Sequence, residues 1–396
     1  MEELDSFFAT HDYLISHVEV PIRRKLMDEI DWKDRMIAVK GGRGVGKTDF
    51  LLSYAQQLRE QSPKNKKETL YVNFNNFYFT EHSLYEFAGK FVKAGGKTLI
   101  LDQLFKYPNW SKELRDCYFH YTTLRMVFTA SPLMKLDDGN PDIGHIVKVY
   151  NLRGYSFREY LNLQTHANLP SYSLEQILQN HEQIARSVCS KVKPLWYFNE
   201  YLKQGYYPYR EVNRDFSETL LKTMNMMLEV DILLIKQIDV AYLSRIRKLL
   251  YKMMQDAPCA LNISDIAEEI NTSRATIMNY IKCLKDARLL NLLYAAGKDF
   301  PMKPSKVYLQ NPNLCFAQPT TTSSPRAVAE TFFYSALHGS HKINIADNAT
   351  FLVNQKMKVD VFETKPEHDV FRYTAVADIE IGKDKLIPLW LFGFLY

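Results

Sequence analysis

Cysteine is sparse in this chain. Its 396 residues include five, Cys117, Cys189, Cys259, Cys283 and Cys315, scattered and without a C-x-x-C pair. That spacing supports neither a disulfide framework nor a zinc site, and it fits a reducing cytoplasm. Charge of one sign is lacking too: 50 basic residues stand against 45 acidic ones, a net charge of +5. So small an excess does not demand a nucleic-acid partner, although a local patch is compatible with it. Long hydrophobic runs are missing. The longest, Leu386 to Tyr396, is too short to span a bilayer and contains Pro388. It is expected to be a buried strand or helix ending in the core, so no membrane partner is expected. The first residues, Met1-Glu2-Glu3-Leu4-Asp5, are acidic and do not read as a signal peptide. No internal repeat is visible. With 46% hydrophobic and 24% charged residues, the chain reads as a folded protein of two or three domains.

What is present is a phosphate-binding loop. Gly41-Gly42-Arg43-Gly44-Val45-Gly46-Lys47-Thr48 fits G-x-x-x-x-G-K-[ST]. An apolar run, Met36–Val39, precedes it, and a helix-like segment, Phe50–Ala55, follows. Strand, glycine loop and helix in that order are the context the pattern requires. The glycines let the backbone aim N–H groups at a phosphate, and the helix adds the positive end of its dipole. Lys47 is expected to reach the β/γ-phosphates of ATP or ADP, and the Thr48 hydroxyl to hold Mg²⁺. Further on, Thr98-Leu99-Ile100-Leu101-Asp102 is a strand ending in a carboxylate. Asp102 there would hold Mg²⁺ through water.

β-rich runs recur at Leu70–Phe74, Thr98–Leu101, Met126–Thr129 and Ile146–Tyr150. Helical patterns lie between them at Phe50–Leu58, Ser83–Val92 and Trp110–Phe119. Such alternation predicts an α/β fold, a parallel sheet with helices on both faces. Residues 156 to 250 read as mostly helical, broken at Gly205-Tyr206-Tyr207-Pro208. Residues 317 to 326 have the composition of a linker or mobile loop.

These features together resemble a prokaryotic AAA+-type ATPase with a winged helix and a restriction-endonuclease-like, PD-(D/E)XK-like, C-terminal domain. The resemblance covers nearly the whole chain. It is carried by Asp34-Arg35-Met36-Ile37, the loop itself, Leu101-Asp102-Gln103, Lys106-Tyr107-Pro108-Asn109-Trp110 and Phe128-Thr129-Ala130-Ser131. Tyr155-Ser156-Phe157-Arg158-Glu159-Tyr160-Leu161 and the run from Ile387 to Tyr396 complete it. It implies an AAA+-like nucleotide-binding domain over residues 1–160, a helical lid over 161–244, a winged helix over 245–297 and a small α/β nuclease-like domain over 298–396. Departures matter as much. The family has Asp-Glu where this chain has Asp102-Gln103, and Thr-Gly-Ser-Ser where it has Thr129-Ala130-Ser131-Pro132. An arginine pair of the family falls on His145 and Ile146. Glutamine can orient a water but cannot take its proton, and losing a general base costs roughly 10²–10⁴ in rate. A lost transition-state arginine costs about 10³–10⁵. Thr129 or Ser131 is left as the polar sensor. Arg158 and Glu159 are expected to form a structural ion pair, with a nucleotide role as the alternative.

Asn262 to Ile270, a short turn, and Ser273 to Leu284 read as two helices. Ile277, Ile281 and Leu284 share the buried face. Arg274, Asn279 and Lys282 lie away from it, where helix-turn-helix geometry contacts DNA. Asp286 on the same side would repel phosphate, and packing against protein is the competing use. In the C-terminal domain the resemblance places the nuclease-like positions at Glu330, Thr350, Glu363 and Lys365, with Glu363-Thr364-Lys365 on a strand. Thr350 stands where the pattern has an acid, so an inherited scaffold without cleavage is expected. The function expected from all of this is an ATP-binding switch with slow or absent hydrolysis. An active ATPase completed by a partner's arginine and a DNA-processing nuclease are the alternatives. Nucleotide, DNA, another protein and a second copy of the chain are the candidate partners.

Overall fold

The computed structural model describes residues 2–137, 139–211, 215–235, 237–318, 323–367 and 370–396. Residues 319–322 of the expected linker lie outside these. The chain divides into two compact units, Met1–Arg153 and Gly154–Tyr396.

The first unit runs α1 (Glu2–His17), α2 (Leu26–Glu29), β1 (Met36–Lys40), α3 (Lys47–Gln61), β2 (Thr69–Asn73), α4 (Tyr78–Glu81), α5 (Leu84–Lys93), β3 (Thr98–Asp102), α6 (Trp110–His120), β4 (Arg125–Ala130) and β5 (Lys148–Asn151). Its five strands form one sheet in the order β2-β3-β4-β1-β5, every neighbouring pair parallel. Helices cover both faces, which is why β1, β3 and β4 are near-continuous apolar runs instead of alternating ones. The strand expected at Ile146–Tyr150 starts later, at Lys148. Ile146 and Val147 instead close a turn, both donating N–H to the Ile143 carbonyl at 2.9 Å.

The helix α1 has no counterpart in the sequence-based expectations. It packs Phe7 against Phe79 and Phe87. It also covers the open edge of β2: the Tyr71 N–H donates to Nδ1 of buried His11 at 3.0 Å. An edge strand with a satisfied N–H is a poorer template for unwanted pairing. Burial, and then the charge of Arg59, hold the His11 imidazole down to a pKa of about 4, so it is neutral.

The second unit continues with α7 (Phe157–Thr165), α8 (Leu174–Cys189), α9 (Pro194–Glu200), α10 (Phe216–Met226), α11 (Leu243–Asp256), α12 (Ile263–Glu269), α13 (Arg274–Asp286), β6 (Leu290–Leu293), β7 (Lys306–Leu309), α14 (Pro325–Leu337) and β8 to β12. The last five are Ile343–Ala346, Ala349–Val353, Met357–Phe362, Tyr373–Val376 and Leu386–Pro388. They form a mixed sheet in the order β12-β11-β10-β9-β8. The apolar C-terminal run is a strand, β12, followed by a buried 3₁₀ stretch, Leu389–Phe394. Gly393 permits that packing, since a Cβ there would lie 2.5 Å from the Phe157 Cβ. Among the described residues no helix is long and apolar enough to cross a membrane.

Candidate functional site

The phosphate-binding loop links the end of β1 to the start of α3. Gly44 and Gly46 have φ of 82° and 85°, a left-handed conformation that glycine adopts without steric cost. Gly41 is needed for a different reason: a Cβ there would sit 2.4 Å from the Leu152 carbonyl oxygen. Val45 is buried and fastens the loop, and its carbonyl accepts from Arg24 at 3.3 Å. Arg24 also donates to the Arg153 carbonyl at 2.6 Å. Lys47 Nζ donates to the carbonyls of Gly41 and Gly42, each at 2.8 Å. Gly42 is buried within the loop, while Arg43 is half-buried.

Asp102 ends β3 between β2 and β4, and this position gathers its partners. Its carboxylate is 1% exposed. Oδ2 accepts from the Thr48 hydroxyl at 2.7 Å and from the Tyr71 hydroxyl at 2.8 Å. Oδ1 accepts from the Thr129 hydroxyl at 2.6 Å and from the Gln103 N–H at 2.9 Å. Bonds to an ionised acceptor are the strong kind, which is how a buried carboxylate is tolerated. Thr129 thus occupies the polar position on Asp102, whereas the Ser131 hydroxyl accepts from the Leu133 N–H at 3.4 Å. Burial, then the adjacent Asp102, push the Tyr71 phenol far above its usual range, so it serves only as a donor.

Gln103 follows with φ of 56°. Its Oε1 accepts from the Asn75 amide at 2.8 Å, and Asn75 Oδ1 accepts from Lys106 Nζ at 2.6 Å. Sequence reasoning passed over Tyr71, Asn75 and Arg24, and gave Lys106 no role beyond its place in the motif Lys106–Trp110. A signal existed for Asn75: it follows the expected strand Leu70–Phe74 and so lies at the same end of a parallel sheet as Asp102. His145 is exposed and Ile146 half-buried.

In the second unit, α12 and α13 form the expected helix pair, and Ile277, Ile281 and Leu284 are fully buried. Arg274 and Asn279 are exposed. Lys282 is engaged, pairing with Asp286 at 2.9 Å and lying 5.3 Å from the Phe300 ring centroid. The hairpin β6–β7 follows α13.

The four nuclease-like positions supply only two carboxylates, Glu330 and Glu363. Glu330 is buried in α14, accepting from the Tyr308 hydroxyl at 3.0 Å and from Arg326 Nε at 3.1 Å. The Thr350 hydroxyl accepts from the Val361 N–H at 3.2 Å, and its own N–H donates to Asp360 at 3.1 Å. Glu363-Thr364-Lys365 was expected on a strand, but β10 stops at Phe362. Pro366 follows, and without an N–H it cannot extend a ladder. Among the described residues no group of three or more His, Cys, Asp or Glu side chains could hold a metal ion. Arg158 and Glu159 approach to 3.8 Å, and Arg158 Nε donates to the Tyr396 carbonyl at 3.0 Å.

Residues 33–161 match a family described as an AAA domain, and residues 195–318 match a domain of unknown function. An uncharacterized protein from Methanocaldococcus jannaschii is 24% identical over 278 residues, covering 67% of this chain and 58% of that protein. The chain therefore spans less than two thirds of that relative's length. Among solved structures, a Signal Transduction ATPase with Numerous Domains, carrying a tetratricopeptide repeat sensor, from Pyrococcus horikoshii is similar at 13% identity and a TM-score of 0.29. That alignment covers 82% of this chain and 46% of the other. The Aeropyrum pernix ORC1 protein in complex with DNA aligns at 11% identity and a TM-score of 0.32, covering 72% of this chain and 85% of the other. The phosphate-binding loop and Asp102 both fall within the residues that match the AAA domain.

Proposed function

We propose that this chain binds ATP or ADP with Mg²⁺ at Gly41–Thr48 and acts as a nucleotide-dependent switch with slow or absent hydrolysis. One observation carries the reading. The Thr48 hydroxyl and the Asp102 carboxylate meet at 2.7 Å, while the next residue, Gln103, is an amide held by Asn75. The residues present fit the ligand. Loop N–H groups cradle phosphate, Lys47 neutralises its charge, and Thr48 and Asp102 form a hard oxygen site suited to Mg²⁺. Mg²⁺ supplies charge neutralisation to the phosphates when bound. Thr129 holds Asp102 in place, and Gln103 can position a water by hydrogen bonding without deprotonating it. His145 and Ile146 supply no permanent charge, so any transition-state arginine comes from a partner, which includes a second copy of the chain. A thermal-shift series tests the binding step. Nucleotide at 100 times its dissociation constant adds about 2.7 kcal/mol to stability. Wild type should shift with Mg-ATP and Mg-ADP, and Lys47→Ala should not; equal shifts in the two proteins would refute the site.

A second reading is DNA association through residues 245–297, taken as a winged helix. Exposed Arg274 and Asn279 favour it, and the engagement of Lys282 by Asp286 weakens it. Residues 298–396 serve in this account as a PD-(D/E)XK-like scaffold that does not cut DNA, because Glu330 is tied to Tyr308 and Arg326 and Thr350 is no metal ligand. Plasmid nicking by wild type in Mn²⁺, abolished by Glu363→Ala, would contradict it. A cytoplasmic location is consistent with the five free cysteines.

A further inference from the structure

The first unit has a second concave, basic site at the opposite end of its sheet. A cleft of about 230 Å³ opens beside the starts of β2, β3 and β4 and the C-terminal end of α3. Four cations line it, Arg59, Lys66, Lys97 and Arg125, against one carboxylate, Glu68. Glu68 is paired with Lys97 at 2.7 Å, and Arg59 is paired at 2.5 Å with Asp12, which is not part of the lining. The Arg125 Nε is buried, and its guanidinium interacts with the Tyr54 hydroxyl. With Arg59 and Lys97 paired to carboxylates, Lys66 and Arg125 leave an excess of positive charge that an anion seated in the cleft would neutralise.

The helix end works against this, since the C-terminus of α3 carries about −0.5 of a charge. A lining of four cations and one carboxylate outweighs it. The cleft is also separate from the phosphate-binding loop. Thr98 lines the cleft and Asp102 lies at the other end of the same strand, about 13 Å away at the rise of a strand. A nucleotide held at Lys47 would place its phosphates at the far end of β3, away from this cleft.

We propose that this cleft binds a phosphate group, on a small phosphorylated ligand or on a nucleic-acid strand, through Arg125, Lys66, Lys97 and Arg59. A planar guanidinium presents paired donors to phosphate oxygens, and the lysines add point charges at the rim. The volume suits a mono- or diphosphate and excludes a folded partner.

The test is a titration of the full chain carrying Lys47→Ala, which removes the loop's own affinity for phosphate. The probes are inorganic pyrophosphate and a single-stranded oligonucleotide. Pyrophosphate should bind, and Lys66→Gln or Lys97→Gln should weaken it roughly tenfold each, as loss of a charge-assisted contact does. Arg125→Gln should weaken it further. If that variant does not fold, the exposed Lys66 and Lys97 variants carry the test. Binding of the oligonucleotide alone, weakened by the same substitutions, would uphold the cleft and assign its phosphate to a strand backbone. Binding of neither probe, or binding undiminished in the Lys66 and Lys97 variants, would overturn the proposal.

Discussion

Asp102 and Glu330 are both buried carboxylates, 1% and 5% exposed, yet they are held in opposite ways. The donors to Asp102 are the neutral hydroxyls of Thr48, Tyr71 and Thr129 and one N–H. Glu330 accepts from Tyr308 and from the Arg326 guanidinium, with Lys306 at 4.0 Å. Neutral donors orient a carboxylate and leave its charge to attract a cation from solution. Arg326 and Lys306 give Glu330 its cation within the fold. The first arrangement suits an ion site and the second a structural strut, a difference that residue type alone does not reveal.

The comparison can be broken by substitution. Glu330→Gln should cost about 2–3 kcal/mol of stability, because Arg326 and Tyr308 lose a charged acceptor in a buried place. It should leave the Mg-nucleotide thermal shift untouched, whereas Asp102→Asn should diminish that shift. If the two variants behaved alike in the nucleotide assay, the distinction would fail. His11 gives a smaller effect of another kind. Its folded pKa lies below the unfolded value, so the unfolded chain binds the extra proton and stability is lost as pH falls from near 6.5 toward about 4. Between pH 7 and pH 5 urea unfolding should lose about 2 kcal/mol, and His11→Gln should flatten that slope. Tyr71→Phe removes one charge-assisted donor from Asp102 and should cost about 1.5 kcal/mol. Because Thr48, Gln103 and Thr129 remain, nucleotide binding should survive in that variant.

Much of the site was legible because it is local. The loop is contiguous, and Asp102 and Thr129 end recognisable apolar strands. Tyr71 was not legible, since its role depends on β2 lying beside β3 in parallel register, and Asn75 was signalled only by its place after the expected strand Leu70–Phe74. Arg24 reaches the loop from a segment without a pattern of its own. The start of β5 was misplaced because Ile146 and Val147 look like strand residues but are used in a turn. Glu363 and Lys365 kept the spacing of a motif, yet the strand meant to present them ends before Pro366.

The most direct test is phosphate release by wild type and by Gln103→Glu, each with saturating Mg-ATP. The account predicts wild-type turnover far below the roughly 1 per second at the low end of enzymes. It predicts a gain of about tenfold in Gln103→Glu, below the 10²–10⁴ of a full general base because no arginine is restored. Wild-type turnover at or above roughly 1 per second, or a Gln103→Glu variant no faster than wild type, would contradict the claim that Gln103 makes this site a slow switch.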